Sequence, residues 1–76
     1  MEQQEIINKI TAQLSECEIE VKGADCSFSV TIISSDFEGK NTLARHRLVN
    51  QAVADDIKSG ALHALSITAL TPEENA

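Results

Sequence analysis

Apolar residues recur at helical spacing at the start of the chain: Ile6, Ile7, Ile10 and Leu14 predict a helix over residues 2–15 with one stripe turned to the core. Glu2 and Glu5 fall where the positive end of the helix dipole favours acids, and Glu5 with Lys9 makes an i,i+4 pair. The period then shortens to two. Cys17, Ile19 and Val21 alternate with Glu18, Glu20 and Lys22, which predicts a half-buried strand over 17–22. Phe28, Val30 and Ile32 alternate with Ser27, Ser29 and Thr31 in a second strand. Gly23-Ala24-Asp25 between them supplies turn residues, so the two strands form an antiparallel hairpin.

Ser34-Ser35-Asp36 ends the second strand, and Phe37 to Asn41 is expected as a loop in which Gly39 takes a positive φ. Asn41 or Thr42 caps the next helix. Leu48, Val49, Ala52, Val53 and Ile57 recur on an inward face, while Gln51, Asp55 and Lys58 face outward. A break near Asn50 divides this stretch into a short helix and a longer one, and Ser59-Gly60 is a C-terminal cap signal. A third strand is predicted over 62–69, with His63, Leu65, Ile67 and Ala69 on one face. Thr71 then caps a helix with Pro72 in its first position, and the sequence ends before a turn is complete.

The order α, β, β, α, α, β defines a single small α+β domain over residues 1–76, with a three-stranded mixed sheet and helices packed on it. A strand that returns after a helical crossover runs parallel to the one it left, so the second and third strands are parallel neighbours. Parallel strands start at one edge of the sheet. Cys26 and His63, each near the start of such a strand, are therefore expected at the same edge.

Seventy-six residues suffice for one domain, and a chain this short buries only about 60% of its unfolded surface. With two Phe and no Trp or Tyr, the core is aliphatic. The net charge of −6 opposes phosphate backbones and anionic membranes, which are bound chiefly through Lys and Arg. No apolar run approaches the roughly 20 residues of a membrane span, and the N-terminus is acidic. A soluble, untargeted, cytoplasmic protein is expected. Two cysteines without a CxxC pair give neither a disulfide framework nor a structural zinc site.

Against the global charge, three of the six basic residues, Lys40, Arg45 and Arg47, cluster around His46. Arg45-His46-Arg47 near a helix start suits an anion, a partner protein or nucleic acid. Successive helical residues point about 100° apart, so the three form no flat basic face. The GxxG loop with which KH domains clamp a backbone is missing, as are stacking aromatics. Nucleic acid is accordingly a disfavoured partner. Cys26 and His63 together make half of a soft metal site, a thiolate and an imidazole. The plainer alternative makes Cys26 a small hydrophobe in phase with Phe28, and His63 a core histidine in phase with Leu65 and Ile67. Asp55 and Asp56 diverge on a helix and are no acid/base pair, and nothing points to an enzyme.

Phe37-Glu38-Gly39-Lys40, Arg45-His46-Arg47-Leu48-Val49, Ile57, Leu62-His63-Ala64-Leu65-Ser66-Ile67 and Thr71-Pro72-Glu73-Glu74, in that order and spacing, resemble the BolA family along essentially the whole chain. The resemblance implies a class II KH-like α-β-β-α-α-β core. It further implies partnership with a monothiol glutaredoxin, the two proteins sharing a [2Fe-2S] cluster bound by the glutaredoxin cysteine, glutathione and two ligands from this chain. By the same resemblance those ligands are His63, in its H-A-L motif, and Cys26, the candidate in the loop between the first two strands. Family members are also discussed as transcription regulators. The family's C-terminal helix is cut short here, and a homodimer is compatible with the sequence.

Overall fold

The computed structural model describes residues 2–25 and 27–75. Helix α1 spans Gln3–Gln13, strands β1 and β2 span Glu18–Ala24 and Ser27–Ile33, helices α2 and α3 span Thr42–Ala52 and Ala54–Ser59, strand β3 spans Ala64–Leu70, and α4 is the single turn Pro72–Asn75. The α-β-β-α-α-β order expected from periodicity is present, with a short 3₁₀ turn over Ser35–Phe37 and the closing turn α4 in addition. Among the described residues, no helix is long and apolar enough to cross a membrane.

The sheet runs β1-β2-β3, antiparallel between the first pair and parallel between the second. One face carries Ile19 and Val21, then Phe28, Val30 and Ile32, then Leu65, Ile67 and Ala69. Helix α1 covers this face beside β1 and α2 covers it beside β3, which leaves Glu18, Glu20, Ser29, Ser66 and Thr68 on the open face. The alternation in β2 is the cleanest because it is the central strand. Phe28, Val30 and Ile32 are all buried there, together with Ile6, Ile10 and Leu14 of the α1 stripe.

The hairpin turn sits later than its composition suggested. Gly23 and Ala24 belong to β1, and Asp25 takes the positive φ of 62°. Gly23 is needed both for its own positive φ of 110° and for closeness: a Cβ there would collide with the Ser27 carbonyl and lie 3.0 Å from the Cα of Phe28 across the ladder.

Other expectations shift for identifiable reasons. Phe37, expected in a loop, is fully buried and joins Phe28 in the core. Ser34 causes this, since its hydroxyl donates to the Glu16 carbonyl at 2.6 Å and accepts from the Asp36 N–H at 3.1 Å, which curls the 3₁₀ turn and drives Phe37 inward. The helix break falls at Val53, not near Asn50, because Asn50 continues the helix and its carbonyl receives the Val53 N–H. That break resets the helical phase, so Ile57, expected inward, is 44% exposed. β3 begins at Ala64, two residues later than expected, and Cys17 precedes β1 and is only half-buried.

The caps fall where the sequence predicts them. Asn41 accepts from the Ala44 N–H at 2.9 Å, and Gly60 closes α3 at φ 86°. Thr71 and Glu74 cap α4 reciprocally: Thr71 N–H donates to Glu74 Oε1 at 2.8 Å, and Glu74 N–H to Thr71 Oγ1 at 3.2 Å.

Candidate metal centre

His63 stands at the N-terminal entry to β3, on the segment that joins α3 to the sheet. The sequence placed it on the buried face of a strand; the structure turns it to solvent, because its neighbour Leu62 takes the core position with 1% exposure. Asp56 braces the segment. Its carbonyl accepts from Leu62 N–H at 3.0 Å and from Ser59 Oγ at 3.2 Å, while its carboxylate forms an ion pair with Lys9 of α1. The Gly60 N–H donates to Ile57 O at 3.3 Å and Ala61 N–H to Ser59 Oγ at 3.4 Å. An exposed imidazole thus rides on a turn whose backbone is held at several points.

The β2–β3 register pairs Ser27 with Ala64, the residue after His63. Cys26, the other expected ligand, lies outside the described residues. Among the described residues no group of three or more His, Cys, Asp and Glu could hold an ion. Cys17 is a poor second donor: burial, with the Asp36 charge adding to it, pushes its thiol pKa up and disfavours the thiolate that metals bind.

The basic cluster does not act as one surface. Arg45 is only 13% exposed at its side chain and binds the chain itself: Nε donates to Lys40 O at 2.8 Å, and Nη1 donates to Ala69 O at 3.0 Å and to Glu74 Oε1 at 2.6 Å. Its guanidinium lies over the Phe37 ring, 5.9 Å from the centroid. Beside Arg45, the Glu74 carboxyl is lowered to about 2, with the Thr71 N–H reinforcing the shift. Lys40 Nζ donates to Asp36 O at 3.0 Å, and Asp36 accepts from both Ser15 N–H and Ser15 Oγ, which hold its carboxyl below the usual range. Arg47 is exposed and His46 half-buried.

Sequence reasoning missed the roles of Asp56 and Glu74. In the sequence Asp56 is only half of a diverging Asp55–Asp56 pair, and its brace depends on Lys9, 47 residues away. Glu74 did leave a signal, the T-x-x-E capping spacing from Thr71.

The family model described as BolA-like protein matches residues 2–74, nearly the whole chain. The chain belongs to the BolA family. Among relatives, Protein BOLA2 of Arabidopsis thaliana is 41% identical over 70 residues, covering 86% of this chain and 73% of that protein. The DNA-binding transcriptional regulator BolA of Vibrio cholerae is 43% identical over 53 residues, which is 70% of this chain and 49% of the regulator. The chain spans still less of BolA-like protein 1 from Mus musculus, where 44% identity runs over 68% of this chain and 37% of the mouse protein. Solved BolA folds superpose along nearly its full length. A BolA homologue from Coxiella burnetii gives a TM-score of 0.85 at 33% identity, covering 99% of this chain and 96% of that one. The BolA domain of SufE1 from Arabidopsis thaliana gives 0.83 at 35% identity, covering 97% and 98%.

Proposed function

We propose that this BolA-family chain is a non-enzymatic adaptor that lends His63, together with Cys26, to a [2Fe-2S] cluster held jointly with a monothiol glutaredoxin and its glutathione, in iron-sulfur trafficking or in iron and redox regulation. The observation that carries this reading is the placement of His63. It is an exposed imidazole on a braced turn at the sheet edge, and no other described residues complete a metal site around it. A donor so placed needs ligands from outside the chain. Cys26 is joined in the chain to Ser27, whose register partner Ala64 follows His63, so chain connectivity agrees with the pairing. A cluster with mixed thiolate and imidazole ligands carries less negative charge and has a higher potential than an all-thiolate one. The occurrence of this fold as a domain of SufE1 is in keeping with such a role.

The test is a titration of the chain into glutathione-ligated, cluster-loaded monothiol glutaredoxin, followed by visible circular dichroism. The expected result is a new spectrum that saturates near equal stoichiometry and is lost with His63→Ala. An unaltered spectrum for a folded His63→Ala protein removes His63 as a ligand.

The name of the Vibrio relative favours a second reading, a nucleic-acid-binding regulator. With Arg45 held internally, that function would fall to Lys40, His46 and Arg47, against a net charge of −6. It requires salt-sensitive binding that Arg47→Glu abolishes; no binding of duplex DNA at low salt removes it.

A further inference from the structure

The geometry points to Gly60 as the residue that keeps His63 open to an incoming ligand. Gly60 closes α3 at φ 86°, and that conformation alone explains a glycine. A second fact is independent of it. A Cβ added at Gly60 would meet one group, Nε2 of His63, at 3.7 Å.

That nitrogen is one of the two through which an imidazole takes a metal or an electrophile. A side chain at position 60 would stand in van der Waals contact with it. A metal bound to an imidazole lies about 2.0–2.1 Å from the nitrogen and brings its remaining ligands with it, so the space beside Nε2 must hold more than the ion. Bare backbone at Gly60 leaves that space clear. The turn cannot simply swing aside to make room, because Leu62 is buried and its N–H is tied to Asp56 O, while Gly60 N–H is tied to Ile57 O. Gly60 is thus a positioning residue: it touches no ligand, and acts by what it leaves uncovered.

This inference deepens the His63 reading in the proposed function and rests on it for its biological meaning, but it can be tested without any cluster. The probe is diethyl pyrocarbonate, which acylates accessible imidazole nitrogen. The rate at His63 is read by peptide mass spectrometry in the full chain, with His46 of the same molecule as internal control. Gly60→Asn introduces a side chain in a residue type that tolerates a positive φ. His63 should then react severalfold more slowly while His46 reacts as before and far-ultraviolet circular dichroism is unaltered. An unchanged His63 rate in the folded variant overturns the inference.

A synthetic pair separates space from backbone strain. D-alanine at position 60 accepts the positive φ and leaves the L-Cβ position empty, whereas L-alanine fills it. The inference requires wild-type His63 reactivity with D-alanine and slow reactivity with L-alanine. If both L-residue variants unfold, or if both alanine isomers react like wild type, Gly60 serves the backbone alone and the inference fails. Loss of cluster sharing as the function would show instead as an unaltered glutaredoxin spectrum with His63→Ala, whatever the acylation rates.

Discussion

At the C-terminal end of β3, Arg45 binds the carbonyls of Lys40 and Ala69 and the carboxylate of Glu74, and it covers the Phe37 ring, so that a cation which looked available in the sequence is an internal clasp. At the N-terminal end, His63 stands exposed on a turn held by bonds from its neighbours. One end joins the loop, the strand and α4 through a side chain. The other end uses backbone and buried apolar groups for the same purpose and leaves its side chain to solvent. In a small domain with a thin core, the distinction between a structural and a functional polar residue comes down to whether its hydrogen-bonding capacity is already satisfied within the chain.

The contrast is sharpest between adjacent residues. Leu62→Ala should cost about 2–5 kcal/mol, as a truncated core leucine does, because Leu62 fills the core while His63 does not. Urea unfolding monitored by circular dichroism measures it. A loss well below that range would mean the turn is held by Asp56 alone. At the other end, Arg45→Ala should cost about 1.5–3 kcal/mol, the range for hydrogen bonds to charged groups. Its folded fraction should still share a cluster. Loss of the cluster spectrum in folded Arg45→Ala would erase the distinction between the two ends.

His63→Ala reverses that pattern. An exposed side chain without structural partners among the described residues changes stability by no more than about 0.5 kcal/mol, so the melting curve should stay in place. The visible spectrum of the glutaredoxin complex should vanish. A melting curve displaced as far as that of Arg45→Ala would make His63 structural after all.

What could be read from the sequence follows the range of the interactions involved. The α1 stripe, the hairpin alternation, the Asn41 and Thr71 caps and the Gly60 stop depend on residues within a few positions of each other, and all are in place. The parallel pairing of β2 and β3 followed from chain connectivity and handedness rather than from any residue. The misplaced features need distant partners. Phe37 is buried because Ser34 reaches Glu16, 18 residues back, and Arg45 is a clasp because Glu74 arrives 29 residues later. His63 faces outward because the chain bends at Val53 and again at Gly60, so strand alternation does not extend back to it. Its chemical type was legible from the sequence, while its exposure required the fold.

The remaining expected effect is one of pH and lies in the acid range. Glu74 is lowered from 4.5 to about 2 in the folded chain, first by the Arg45 hydrogen bond and then by the Thr71 N–H. A carboxyl depressed by folding contributes stability above its unfolded pKa and loses that contribution as protons bind, so the window runs from pH 4.5 down to about 2. Asp36 is lowered by Ser15 in the same sense and contributes to the same decline. Glu74→Gln should therefore approach the wild-type urea midpoint only near pH 2, show a lower midpoint at pH 7, and have a flatter acid limb between. Arg45→Ala, which removes the main cause of the Glu74 shift, should flatten that limb too, whereas His63→Ala should leave it unaltered. Equal acid limbs for wild type and Glu74→Gln would mean that the Arg45–Glu74 pair opens in solution, and the C-terminal end of β3 would then be as free as the end that carries His63.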